Sequence, residues 1–386
     1  MKARYIPVGW KQLKHNRLRF FAAVAGITFA VILMLVQQGF REALFNSGIR
    51  WHTALQYEVV LLSPKTEYLL EVHDFPRIRV LQAAGVAGVQ AVTPIYTGQA
   101  KWRNPEKPEI VWPIFIAAFD PADEGFGSII SAQQQAALRV ENFYLFDALA
   151  RPEYGPIPQL LKEHGVVPLE MNSRRIRIGG LFEVGNSFGI NGALITSDLN
   201  YQRMFPNRHP SNVSLGLIQL RPGTNPQVAR DAIAAALPPD VRVLTRAQFQ
   251  AMEVDYWDRS TPIGYVLNFG VIMGLVVGAI IVYQILFSDV QDHLKEYATL
   301  KAMGYSNGYL SRVVLQEAAI LAVTGFIPAL ILTWQVFRMA AAATNLPLQL
   351  TVEMTSQVLA LTVGMCVFAG LLAMRKVRSA DPADVF

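Results

Sequence analysis

The sequence has one cysteine in 386 residues, Cys366, and only 16% of its residues are charged. A lone cysteine excludes a disulfide framework, so every folded part must be held by its own packing. The six histidines, at 15, 52, 73, 164, 209 and 293, are scattered and show no metal-ligand spacing. No G-x-x-x-x-G-K-[ST] run is present, which excludes ATP binding and hydrolysis by the phosphate-loop route in this sequence. Low charge beside 52% hydrophobic residues is unusual for a soluble protein, so the placement of the apolar residues becomes the first question.

They fall in four stretches: Phe20–Val36, Val266–Phe287, roughly Ala318–Trp334, and Ser356–Met374. A helix needs about 20 mostly apolar residues to cross a ~30 Å hydrocarbon core. The first two stretches carry no charge, and Gln316 and Glu317 stand at the front edge of the third. Four runs of this length exclude buried helices of a soluble core. A cleaved signal peptide needs a small-residue site after its apolar centre. Val36 is followed by Gln37-Gln38-Gly39-Phe40-Arg41, so the first stretch is read as a retained span.

Charge gives the orientation. Lys2, Arg4, Lys11, Lys14, Arg17 and Arg19 precede the first span without any acid, and Arg375, Lys376 and Arg378 follow the last. The positive-inside rule then places both termini in the cytoplasm. Residues 41–262 hold 21 basic and 22 acidic residues, so the chain's +5 reflects topology and does not point to nucleic acid. The expected order is an amphipathic helix over 1–19, a span over 20–40, an outer domain over 41–262 and a span over 263–288. A cytoplasmic helix over 289–305, a span over 306–335, a short outer loop over 336–354, a span over 355–374 and a tail over 375–386 complete it.

The outer domain reads as two strand–helix–strand pieces around an insertion. Tyr57–Ser63, a helix near Arg77–Ala84 and Val89–Thr97 make the first, with Pro94 pointing to a sheet edge. Ser214–Leu220, a turn at Pro222-Gly223, a helix near Pro226–Leu237 and Val241–Leu244 make the second. Packed together they predict a ferredoxin-like layer of helices on a sheet. The insertion, 112–213, has a strand run at Ile114–Phe119, helical character over Gln133–Leu149, and hairpin signals at Arg174–Val184 and Ala193–Thr196. The fold class is therefore an α-helical membrane protein with four spans and a large α/β extracytoplasmic domain.

Three motifs carry candidate chemistry. Gly185-Asn186-Ser187-Phe188-Gly189 fits a G-x-S-x-G nucleophile pattern, with Asp198 and His209 downstream. That chemistry needs a strained strand-to-helix turn; here the glycines lead into another strand-like run, and a β-turn is the better reading. Gly270, Gly274 and Gly278 form a small-xxx-small row on the second span, as do Ala22, Gly26 and Ala30 on the first. Such rows let backbones approach closely, within the subunit or across a dimer, and lipid-exposed glycine is the alternative. The third motif is Asp289–Gly304, where Val290, Leu294, Tyr297 and Leu300 keep helical spacing among interleaved charges. Gly304 suits a helix stop and Ser306 a cap for the next helix.

Glu296-Tyr-Ala-Thr-Leu-Lys-Ala-Met-Gly304 resembles the coupling-helix signature of the MacB/FtsX/LolC class of ABC permeases. The Glu317 segment with Gly325 resembles the start of their third span. Arg17-Leu-Arg-Phe-Phe and the tail Ala380-Asp-Pro-Ala-Asp-Val-Phe386 also resemble family positions. Within the class the chain is most similar to the DevC-like permeases of DevBCA-type exporters; it lacks the amino-terminal ATPase domain of MacB itself.

The resemblance implies a homodimer in a bacterial inner membrane, without cofactor or catalytic residues of its own. It implies a separate DevA-like ATPase subunit holding ATP and Mg, a DevB-like adaptor and a TolC-like outer-membrane channel. ATP-driven motion would push cargo that is already outside, with glycolipid one cargo class. Glu296, Leu300, Lys301, Met303 and Gly304 would dock on the ATPase. Two other readings stand beside it: an FtsX-like regulator of a cell-wall hydrolase, and a membrane-tethered hydrolase using Ser187.

Overall fold

The computed structural model describes residues 17–379, apart from 124, 188 and 345. The chain divides into two compact units, one of residues 44–261 and one of residues 1–43 with 262–386. The amphipathic helix expected near Ile6, Trp10 and Leu13, and the tail from Ala380, lie outside the described residues.

Helix α1 (Arg17–Gly48) carries the boundary between the units within its length. At about 1.5 Å per residue it is ~48 Å long, well beyond the ~30 Å of hydrocarbon it has to cross. A five-residue helix, α2 (Arg50–Ala54), follows, then β1 (Val59–Leu62), β2 (Phe75–Pro76), α3 (Ile78–Ala83) and β3 (Val89–Arg103). Next come β4 (Val111–Phe119), α4 (Ala132–Ala137), β5 (Phe143–Asp147), α5 (Ile157–His164), β6 (Val167–Met171) and β7 (Arg174–Phe182). The unit is completed by β8 (Ala193–Ser197), α6 (Asp198–Met204), β9 (Asn212–Val213), β10 (Leu215–Leu220), α7 (Pro226–Ala236), β11 (Arg242–Thr245) and α8 (Arg246–Arg259).

Nine of these strands form one sheet in the order β11-β1-β10-β3-β4-β8-β5-β7-β6. The first four are all antiparallel, with β1–α3–β3 and β10–α7–β11 interleaved as in a ferredoxin-like layer. β1 is buried at every position instead of alternating. Val59 and Leu61 pack in the core that holds α3 and α7, while Val60 and Leu62 join the core that holds Trp51 of α2 and Phe249 of α8. A strand covered on both faces has no polar side to show. Pro94 opposes Gly216 of β10, and β4 begins to pair only at Tyr96, so the proline sits where β3 is still an edge.

Beyond Ile95, β3 changes partner and enters the insertion, where it pairs with β4 from Tyr96 to Arg103. The outer strands return on themselves through one pairing between β6 and β3, Met171 with Trp102. β3–β4 and β6–β7 are hairpins, the latter holding the Arg174–Val184 run as expected, whereas Ala193–Thr196 lies on β8, which pairs in parallel with β4, and β5–β7 is parallel as well. The helix expected over Gln133–Leu149 is also shorter. Ser131 and Gln134 close a capping box on α4, which ends at Ala137, and the aromatic run Phe143–Asp147 becomes a strand buried against β7 and β8.

The second unit holds α1 with α9 (Pro262–Asp292), α10 (Leu294–Ala302), α11 (Asn307–Thr344) and α12 (Val352–Ser379). Four helices are long and apolar enough to cross a membrane: Phe20–Gly48, Pro262–Asp292, Gly308–Ala342 and Val352–Met374. α11 passes the expected end of the third span at 335, because the alanine run from Ala340 favours helix and Arg338 lies 4.9 Å over the Trp334 ring.

Candidate coupling sites

Helix α10 interrupts the run between α9 and α11. Its amide ladder closes with Met303 N–H donating to Thr299 O at 3.0 Å and Gly304 N–H to Lys301 O at 3.0 Å. Gly304 has φ +91, a left-handed conformation that favours glycine. Ser306 then accepts from Tyr309 N at 3.3 Å and caps α11. Glu296 lies exposed in the first turn of α10, where the helix dipole favours a carboxylate.

Met303 is 63% exposed, and Tyr305 and Tyr309 beside it pack ring to ring at 4.9 Å. Lys301 is half-buried and already engaged by neighbours, so it offers less to a partner than Glu296 and Met303 do. The side chain of Leu300 lies outside the described residues. Beneath the turn, Val290 of α9, Leu310 and Val314 of α11 and Met374 of α12 form a buried knot of their own.

The glycine row of α9 faces α1 within the same chain. A Cβ on Gly270 would stand 2.5 Å from Gln37 Cδ, one on Gly274 2.9 Å from Met34 Cγ, and one on Gly278 2.9 Å from Ala30 Cβ and nearer still to Met365 Sδ of α12. Gly26 makes the reciprocal approach, with Ile281 Cγ2 2.5 Å from its missing Cβ. Ala22 is exposed and takes no part in this seam. α11 meets α1 on another side, where Thr28 Oγ1 donates to Gly325 O at 3.0 Å. Glu317 does not begin a helix as the sequence suggested: α11 starts at Asn307, and Glu317 is fully buried inside it beside buried Ala318 and Leu321.

A second junction was not legible from motifs. In the α/β unit, α2 and α8 pack together at the sheet face. Arg246, the first residue of α8, donates to the carbonyls of His52, Thr53 and Leu55 at 2.7–3.1 Å, satisfying the end of α2. Glu253, 4% exposed, accepts from Leu69 N at 2.8 Å and from Trp257 Nε1 at 3.0 Å, and its Oε2 lies 3.4 Å from His52 Nε2. Tyr68 stacks on Tyr256 at 4.0 Å to cover the cluster. The available signal was Thr245-x-x-Gln248, a capping box that marks the start of α8. His52 and Glu253 are too far apart in sequence for any spacing rule to pair them.

The serine motif does not assemble. Ser187 is buried in a tight turn, with its N–H donating to Ile190 O at 2.9 Å and Ile190 N–H returning to Ser187 O at 3.1 Å. Gly185 and Gly189 both have positive φ, and Asp147 accepts from Gly185 N at 2.8 Å to anchor the loop. Burial raises the Asp147 pKa, against the pull of its backbone donors. His209 is occupied with Ser211 Oγ at 2.6 Å, and Asp198 opens α6. Phe188 lies outside the described residues. No group of three or more histidine, cysteine or carboxylate side chains among the described residues is arranged to hold a metal ion.

Four helices long and apolar enough to cross a membrane, an α/β domain inserted after the first, and a short helix between the second and third give the architecture of a multi-spanning membrane protein with one large inserted domain. Residues 268–382, less than half of the chain, match the family of the FtsX-like permease C-terminal domain. No curated protein matches the sequence. Among solved structures, the periplasmic region of MacB from Actinobacillus actinomycetemcomitans is similar at 9% identity and TM-score 0.36, covering 51% of this chain and 92% of that one. The extracellular domain of the ABC-type transporter YknZ from Gram-positive bacteria is similar at 11% identity and TM-score 0.34, covering 49% and 98%. A domain of a permease protein from Porphyromonas gingivalis follows at 16% and 0.29, covering 50% and 88%.

Proposed function

We propose that the chain is the permease subunit of a MacB/DevBCA-type exporter, in which a separate ATPase subunit drives motion of the α/β domain. Both termini would lie in the cytoplasm of a bacterial inner membrane and the α/β domain in the periplasm. The protein would work as a homodimer with a membrane-fusion adaptor and a TolC-like channel, and glycolipid is one candidate cargo class. The observation that carries this reading is the α9–α10–α11 turn. An exposed acid stands on a short helix and an exposed methionine at its end, between two spans that a buried cluster ties to each other and to α12. ATP and Mg belong to the partner subunit, and chemistry by this chain plays no part.

The test replaces Glu296 with Lys and Gly304 with Phe in the full chain, expressed with its ATPase. Each is expected to lower export at least about tenfold at normal membrane level, the cost of one lost charged or packed contact at an interface. Space around the Gly304 Cβ position is open, so Gly304→Ala carries only the backbone strain of its positive φ. If Gly304→Ala is as damaging as Gly304→Phe, backbone geometry is the cause and docking is not. Unchanged export in Glu296→Lys and Gly304→Phe defeats the assignment. A cell-wall separation defect with export intact would favour the regulator reading.

A further inference from the structure

The α/β unit has an open cleft of about 520 Å³ at the point where the outer strands fail to close fully. β6 pairs with β7 along its whole length but meets β3 only at Met171. Past that point the strands part, and the cleft lies between Arg103 at the end of β3 and Pro168 and Glu170 on β6. An unpaired strand edge ordinarily recruits another strand through its main chain. Pro168 has no N–H to give, so this edge is a poor template for ladder pairing. Recognition here falls to side chains.

The charged side chains that line the cleft are Arg103, Arg175 and Glu170, and Glu106, Lys107 and Glu109 stand exposed on the loop opposite. Arg103 and Arg175 line the cleft and are exposed, and Lys101, Arg174 and Arg177 are exposed on the adjoining strands. Glu170 is the acid among the lining residues, 3.9 Å from Arg103 and nearly half exposed, so it holds that arginine weakly. Pro105 and Pro108 form the opposite wall on a loop that is already built. Asn104 Oδ1 accepts from Glu106 N and Lys107 N at 2.8 and 3.1 Å, its Nδ2 donates to Glu153 O at 2.8 Å, and Asn104 N–H donates to Ile110 O at 3.3 Å. Pro105 also packs against Gly155, where a Cβ would come within 2.9 Å of its ring. The site is therefore pre-organised, with flat proline walls and two guanidinium forks suited to carboxylates.

We propose that this cleft docks an acidic extended loop of a partner protein, with carboxylates on Arg103 and Arg175 and an aromatic or apolar side chain against the prolines. The charge of the cleft is the argument for the occupant: the domain as a whole is near neutral, and the basic excess is concentrated on these adjoining strands. The proposal is independent of whether the permease exports cargo or regulates another protein.

The experiment uses the purified full chain in detergent and a short fluorescein-labelled peptide of alternating glutamate and tyrosine, followed by fluorescence polarisation. The peptide is expected to bind, and the Arg103→Glu/Arg175→Glu pair to weaken it by tenfold or more, in the range of charge-assisted contacts. Glu170→Gln is expected to tighten binding two- to threefold by freeing Arg103, a gain that a misfolded variant cannot give. The control pair Lys65→Glu/Arg221→Glu makes the same change in net charge away from the cleft. Equal weakening in that control, or equal binding of a glutamine–tyrosine peptide, would overturn the proposal. So would displacement of the peptide by inorganic phosphate at concentrations where chloride is inert, which would make the cleft a phosphate site.

Discussion

Two helix junctions of this chain solve one problem with opposite chemistry. In the spanning unit, α1 and α9 meet through Gly270, Gly274 and Gly278, where the contact is made by removing side chains. In the α/β unit, α2 and α8 meet through Arg246, His52 and Glu253, where it is made by polar and charged groups, with Arg246 donating to three carbonyls of α2 and its end and Glu253 accepting from Leu69 and Trp257. Lipid gives apolar side chains no reason to leave it, so only close backbone packing can hold helices together there. Water leaves a folded domain free to use buried polar groups, provided that they are satisfied.

The comparison breaks most visibly at Glu253. Replacing it with Ala leaves Leu69 N–H and Trp257 Nε1 without their acceptor and removes the carboxylate 3.4 Å from His52 Nε2, a loss of about 3–5 kcal/mol for a buried polar pair. The thermal midpoint of the purified chain is expected to fall by about 10 °C, read from tryptophan fluorescence. A fall no larger than that of an exposed control such as Glu163→Ala would mean that the junction does not hold α2 to α8.

Gly274→Leu tests the other side. Its Cβ alone would meet Met34 at 2.9 Å and Leu33 at 3.1 Å, whereas Gly364 has open space around the same position on α12. Overpacking at Gly274 is expected to cost about 1–3 kcal/mol and lower the yield of folded protein, with Gly364→Leu unchanged. Equal yields from the two variants would remove the seam from the account.

A smaller effect separates the domain by pH. Burial, with Asp120 nearby, pushes the Asp123 pKa up to about 6. A carboxyl raised in the folded state contributes stability that is full below its unfolded pKa of about 4 and is lost as pH rises through about 6. Asp123→Asn should therefore flatten the dependence of the midpoint on pH between 4 and 7 and gain a degree or two at pH 7. A midpoint profile identical to the parent would contradict this. The smallest expected effect is at Ser187. Ser187→Ala should leave midpoint and export unchanged, and a serine-reactive probe should not label the parent.

Legibility followed the range of the interactions. The four spans, the two strand–helix–strand pieces and the stop at Gly304 rest on local periodicity and caps, and the sequence carries those in full. Phe143–Asp147 was misread because its strand character comes from burial against β7 and β8, distant in sequence. The parallel pairings of the insertion and the His52–Glu253 contact are long-range for the same reason. Glu317 was misplaced because polar residues before an apolar run resemble a helix start, although the helix had begun at Asn307. The glycine rows were visible, but only the geometry chose the partner helix and left Ala22 out.

β3 belongs to two constructions at once, pairing with β10 up to Ile95 and with β4 from Tyr96. There is no hinge between the ferredoxin-like layer and the insertion, because the same strand is a rung of both. Side chains alternate faces along it, so a single residue added or deleted near the handover would turn Trp102 and every later position inside out. Variation in the length of this protein should therefore be found in the loops at either end of β3, and the strand itself should behave as a fixed ruler.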